Sequence, residues 1–119
     1  MRESIRVLVV EDEPFVRLTA VEMLQDAGFV VLQASNADEA IELLEKHSDI
    51  RVLFTDVQMP GSIDGVKLAE ACRKRWPPVK IVVTSGNPRP GQLGDDVRFL
   101  PKPYDAGTLT ANLTAALSA

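Results

Sequence analysis

A single cysteine, Cys72, leaves no partner for an internal disulfide, so the chain is not a small scaffold held by cross-links. No excess of basic residues is present. Lysine and arginine number 13 against 17 aspartates and glutamates, a formal charge of -4, which argues against bare nucleic acid or an anionic membrane as a direct partner. No apolar run approaches membrane-spanning length, and the amino terminus lacks the charged and apolar regions of a secretory signal. With the lone thiol, these features make a reducing cytoplasm the expected compartment. Internal repeats, low-complexity tracts and linker-like stretches are also missing, so one domain over residues 1–119 is expected, long enough to bury a core without metal or disulfide support.

What is present alternates. Residues 5–10, IRVLVV, are apolar and β-branched, as a strand covered on both faces requires, and Glu11-Asp12-Glu13-Pro14 ends them. Pro14 suits the first turn of a helix whose buried positions are Val16, Ala20, Met23, Leu24 and Ala27, closed by Gly28. A strand over 29–34 follows. Asn36 and Glu39 then resemble a capping box ahead of a stripe of Ala40, Ile41 and Leu44, with His47 in the last turn. Val52-Leu53-Phe54 reads as a buried strand ending at Thr55 and Asp56. Met59-Pro60-Gly61 turns the chain, and Asp64 caps a helix from about Gly65 that carries Val66, Ala69, Cys72 and Trp76 and stops at Pro77-Pro78.

Residues 79–84 form a fourth strand and 97–100 a short fifth. Between them SGNPRPGQLGDD, rich in proline and glycine, predicts a loop with at most one helical turn. After Pro101-Lys102-Pro103, Asp105 caps a last helix with Leu109, Leu113 and Leu117 on one face. Such alternation predicts an α/β fold, a doubly wound (βα)5 with a five-stranded parallel sheet in flavodoxin-like order 2-1-3-4-5 and the fourth helix shortened or replaced by loop. Glu11, Asp12, Asp56, Thr84 and Lys102 then fall along one edge of the sheet, where open α/β folds bind ligands.

Taken singly, each of these residues has a plainer explanation. Acids at 11–13 suit a helix amino terminus, Asp56 a turn, Thr84 and Ser85 a strand end, and Lys102 a solvated loop. Together they are harder to explain away. Three carboxylates at one rim repel unless a cation, a lysine or a raised pKa relieves them. An all-oxygen ligand set without histidine or thiol favours a hard ion such as Mg2+. A carboxylate nucleophile, a metal, an ammonium and a hydroxyl are the groups needed to accept a phosphoryl group and hold its equatorial oxygens.

The four stretches VLVVEDEP, LFTDVQMPGSIDG, IVVTSG and FLPKPYD, in this order and spacing, resemble the receiver domains of two-component response regulators over the whole chain, and the chain is similar to stand-alone, CheY-like receivers. The resemblance implies that Asp56 is the phosphoacceptor, supplied by a histidine kinase or histidine phosphotransfer protein. It also implies Mg2+ held by Glu11, Asp12, Asp56 and the backbone carbonyl of Gln58. Thr84 and Lys102 become the phosphoryl-binding, catalytic partners of Asp56, with a cis bond before Pro103, and Phe99 the aromatic switch. Glu11 stands where receivers more usually carry aspartate, and its longer arm is expected to reach the metal through water. The implied activity is self-phosphorylation and self-dephosphorylation alone, with output through a downstream protein and no attached output domain. A module of a hybrid kinase or larger regulator is the alternative.

Three other functions fit less well. A haloacid dehalogenase-type phosphatase needs a second acid two residues past its nucleophile, where this chain has Gln58. A nucleotide- or flavin-binding module needs glycines or hydroxyls, not Glu11 and Asp12, after the first strand. A scaffold that has lost phosphorylation would not need the full set of site residues. Receivers commonly signal through a face that includes the fourth helix, so the 86–96 loop is expected to be mobile, to order on phosphorylation, and to disfavour the usual output dimer.

Overall fold

The computed structural model describes residues 5–59, 61, 63–91 and 93–118. Five parallel strands, β1 (Arg6–Val10), β2 (Val30–Ala34), β3 (Ile50–Asp56), β4 (Lys80–Ser85) and β5 (Arg98–Pro101), form one sheet in the order β2-β1-β3-β4-β5. Helices α1 (Pro14–Asp26), α2 (Ala37–Lys46) and α3 (Gly65–Arg75) fill the first three crossovers, and α4 (Ala106–Ser118) follows β5. Strand order reverses at β1, because β2 lies on one side of it and β3 on the other. The carboxyl ends of β1 and β3 therefore lie at the switch point where open α/β sheets form a crevice.

Period-two alternation divides the side chains between two cores. Leu8, Val10, Leu53, Ile81 and Val83 pack against Ala40 and Leu44 of α2 and Leu68 and Cys72 of α3. Val7, Val9, Val52, Phe54 and Val82 pack against Leu24 of α1 and Leu109 and Leu113 of α4. Continuing this alternation past the strand ends puts Glu11, Asp56, Thr84 and Lys102 in phase with Val9, Phe54, Val82 and Leu100. Four polar residues thus share the α1/α4 side of the rim.

The helix starts follow the sequence closely. Asn36 accepts the Glu39 N–H at 2.9 Å, and Asp64 and Asp105 do the same for Lys67 at 3.0 Å and Thr108 at 2.8 Å. The capping box of α2 reaches one residue further than its usual form, since Glu39 accepts from the N–H and hydroxyl of Ser35 at 2.7 and 2.9 Å. α1 is capped by Glu13, which accepts the Val16 N–H at 2.9 Å ahead of Pro14. Of the turn over residues 59–61, Pro60 lies outside the described residues, and Gly61 adopts φ 114°, a conformation that glycine takes without a side-chain penalty.

No helix occurs among the described residues between β4 and β5, as expected, but the segment expected to be mobile is bonded and packed at several points. Leu93 and Val97 are buried against the α2/α3 face of the sheet, filling space that a helix would cover. Arg89 Nη2 donates to the carbonyls of Gly94 and Val97 at 3.1 and 3.3 Å, and Arg73 pairs with Asp96 at 3.1 Å. Proline and glycine exclude a regular helix, yet two apolar residues still anchor the segment. No helix among the described residues is long and apolar enough to cross a membrane.

Candidate functional site

β1, β3 and β4 end at the same level, with Val10 opposite Thr55 and Asp56 opposite Thr84. Asp56 is the last residue of β3 and is 5% exposed, while Glu11, one residue past β1, is 4% exposed. Buried carboxylates this close require compensation. Lys102 provides it: its Nζ donates to Glu11 Oε1 at 3.0 Å and to Asp56 Oδ2 at 3.1 Å. The remaining oxygens of both acids are also bonded, Glu11 Oε2 to the Glu13 N–H at 3.1 Å and Asp56 Oδ1 to the Gln58 N–H at 3.3 Å. The longer arm of Glu11 lets one carboxylate fold back on its own loop and still reach the lysine.

Burial pushes the Glu11 carboxyl above its ordinary value. The Glu13 N–H and Lys102 pull it back, and the Asp56 charge adds to the rise. Burial also opposes the Lys102 charge, but the bonds to Glu11 and Asp56 outweigh it and hold the ammonium above the usual lysine value. Tyr104, edge-on to Phe54 with ring centroids 5.6 Å apart, is pushed up to about 12 by burial and stays neutral. The site is therefore a protonated lysine bridging two buried acids.

Asp12 joins the pair: Glu11, Asp12 and Asp56 each offer a carboxylate oxygen, all within 4.8 Å of one another. This acidic cluster is able to chelate a divalent cation. Hard oxygen donors alone suit an alkaline-earth ion, and one lysine offsets only part of three negative charges. The Thr84 hydroxyl supports the fit from the other side. Thr84 is 2% exposed and its Oγ1 has no partner among the described residues, so a buried polar group there stands ready for a ligand atom.

Of the residues expected at the rim, Glu11, Asp12, Asp56, Lys102 and Gln58 are tied together by these contacts. Thr84 joins by register, and the Lys102–Pro103 bond is cis. Phe99 stands apart. It is partly buried against the α2/α3 core, on the opposite face of the sheet from Lys102.

Three further residues shape the site. Gly65 has no room for a side chain, because an added Cβ would overlap the Asp56 carbonyl and Val57 Cα, so α3 starts hard against the backbone that carries Asp56. Asp64-Gly65 signalled only a helix start in the sequence; the close approach has no sequence signal beyond the glycine. Arg17, from the first turn of α1, donates to the Glu11 carbonyl at 2.9 Å and to Gln33 Oε1 at 3.1 Å, fixing the acidic loop against β2. Ser85, which does stand at a strand end, is also buried and bonded on several sides.

Comparison with known proteins gives a consistent result. The sequence profile of the response regulator receiver domain matches residues 7–114. The sensor kinase CckA of Brucella abortus is 34% identical over 96% of this chain, which spans 13% of that protein. The transcriptional regulatory protein PdtaR of Mycobacterium tuberculosis is 34% identical over 95% of the chain, 57% of its own length. The chain thus spans well under two thirds of these curated relatives. Among solved structures, the receiver domain of the hybrid histidine kinase CckA is 37% identical at TM-score 0.81, covering 94% of this chain and 98% of that one. The response regulator TrrA of Thermotoga maritima, solved in complex with Mg2+ and BeF, is 27% identical at TM-score 0.84, covering 95% and 99%.

Proposed function

The chain belongs to the response regulator receiver domain family, and on that footing we propose that Asp56 accepts a phosphoryl group from a phosphohistidine, on a histidine kinase or phosphotransfer protein, in a Mg2+-dependent reaction. The observation that carries this reading is the joint placement of Asp56, Lys102 and the orphaned Thr84 hydroxyl around one acidic cluster. A carboxylate oxygen of Asp56 forms the new P–O bond while the P–N bond to the donor imidazole breaks. The electron pair returns to that ring nitrogen, and the imidazole leaves neutral, with a proton kept on its other nitrogen or taken up from water.

Asp12, Asp56, Glu11 and the Gln58 carbonyl would hold the Mg2+, which when bound neutralises charge on the phosphoryl oxygens. Lys102, already protonated and 3.1 Å from Asp56, holds a second oxygen, and Thr84 donates its hydroxyl to a third. The similarity to a receiver solved with Mg2+ and BeF supports both the ion and the phosphoryl position. Phe99, with its back to the site, is proposed to report occupancy by repacking on the α2/α3 face. The likeness to the CckA receiver supports a kinase or phosphotransfer protein as donor, with a downstream protein as the recipient of the signal.

Incubation with acetyl phosphate and Mg2+ tests this: intact mass should rise by one phosphoryl group, and Asp56→Asn or chelation of the metal should abolish the rise. An unchanged yield in Asp56→Asn would refute the assignment.

A further inference from the structure

Ser85 ends β4 one residue beyond Thr84 and is 1% exposed. Its polar atoms reach three separate loops. The Ser85 carbonyl accepts the Lys102 N–H at 2.9 Å, and its hydroxyl accepts the Asn87 N–H at 3.0 Å and donates to Gln58 Oε1 at 3.3 Å. A serine hydroxyl has one proton to give, and with its oxygen engaged by Asn87 that proton is directed at the Gln58 carboxamide.

Gln58 is where such a tie matters. Val57 is fixed on both sides, its N–H donating to the Thr84 carbonyl and its own carbonyl accepting from Gly65, each at 2.9 Å. Gln58 is the next residue out, exposed, and joined to Asp56 through its N–H at 3.3 Å. With Val57 held, the Gln58 carbonyl is set by the Gln58 backbone, and because rotamer and backbone torsions are coupled a tethered side chain narrows that backbone's range.

We propose that the Ser85 hydroxyl is a positioning group for the metal: by holding the Gln58 side chain it presets the Gln58 peptide, and with it the carbonyl that completes the coordination begun by Asp12 and Asp56. This rests on the reading that Mg2+ is bound here through that carbonyl. Groups that orient a metal ligand without touching the ion change affinity by about 10- to 100-fold when removed.

The test is the Mg2+ dissociation constant, by isothermal titration and by amide chemical-shift titration, with urea unfolding measured alongside. Ser85→Ala should weaken Mg2+ by about tenfold without a matching change in the urea midpoint, and Ser85→Thr, which keeps the hydroxyl, should restore it. Gln58→Met, close in length but without the acceptor, should match Ser85→Ala, and the double variant should be no weaker than either single. Wild-type affinity in Ser85→Ala, or full additivity in the double variant, overturns the inference while leaving the metal reading intact. If Ser85→Thr fails to fold, the cycle of Ser85→Ala with Gln58→Met still decides. A wild-type protein that shows no saturable Mg2+ binding removes both readings.

Discussion

Lys102 and Asp56, 46 residues apart in sequence, are joined by a 3.1 Å ion pair at the carboxyl edge of the sheet, and the same ammonium is 3.0 Å from Glu11. One cation thus neutralises two buried acids whose strands would otherwise end in mutual repulsion. Its side chain is 26% exposed, so the pair is partly screened and less costly to separate than a fully buried one.

Replacing Lys102 with alanine removes that compensation. The variant should unfold at lower urea, by about 2 kcal/mol, in the range for hydrogen bonds to charged groups, and Mg2+ should recover more stability in the variant than in the wild type. Equilibrium urea curves with Mg2+ and with EDTA check this. Equal metal-dependent gains in both proteins would count against an ion and Lys102 sharing the same carboxylates.

Gly65→Ala should be among the most damaging single-methyl additions in the chain, because the new carbon meets the Asp56 carbonyl instead of a flexible side chain. Overpacking against backbone costs about 3 kcal/mol, the upper end of the usual range. The variant should also bind Mg2+ more weakly, since any relief moves Asp56. Gly61→Ala is the control, with open space around its Cβ but a positive φ, and should cost about 1 kcal/mol.

Burial of Cys72 pushes its thiol up to about 12. The sign follows directly: the unfolded chain ionises this thiol near 9.0, so the stability contribution is whole below that pH and is lost as pH rises toward 12. At pH 8 the native thiol should react with a disulfide reagent only as fast as the protein opens, and at full rate in denaturant. Fast native labelling would contradict the buried placement.

Much of this was legible in the sequence because local and global signals agree. β-branched runs marked β1, β3 and β4, and Asn36, Asp64 and Asp105 marked three helix starts at the residues where the caps form. The acidic cluster could be anticipated because a parallel sheet with β1 central must bring the ends of β1 and β3 together. What was hidden depends on contacts between distant residues. Nothing local in Leu93 or Val97 shows that they plug the α2/α3 face, and nothing in Ser85 shows that its hydroxyl meets Gln58 across 27 residues. Glu13 as the cap of α1 was obscured by its neighbours, since three consecutive acids look alike until the chain turns.

The pinned segment between β4 and β5 yields its own expectation. Because Leu93, Val97 and the Arg73–Asp96 pair hold it, Leu93→Ala should cost about 2 to 3 kcal/mol, as for a buried leucine, and should speed amide exchange at 94–97 more than in β1. If Leu93→Ala is neutral, the segment does not serve as the missing helix's substitute.

The position of the phosphoryl group is decisive. Borohydride reduction of the protein after exposure to acetyl phosphate converts an aspartyl phosphate to homoserine, which peptide sequencing by mass spectrometry locates. Homoserine at position 56, formed with Mg2+ and absent after chelation, is the predicted result; homoserine at position 12 or elsewhere, or equal yield without the metal, would contradict it.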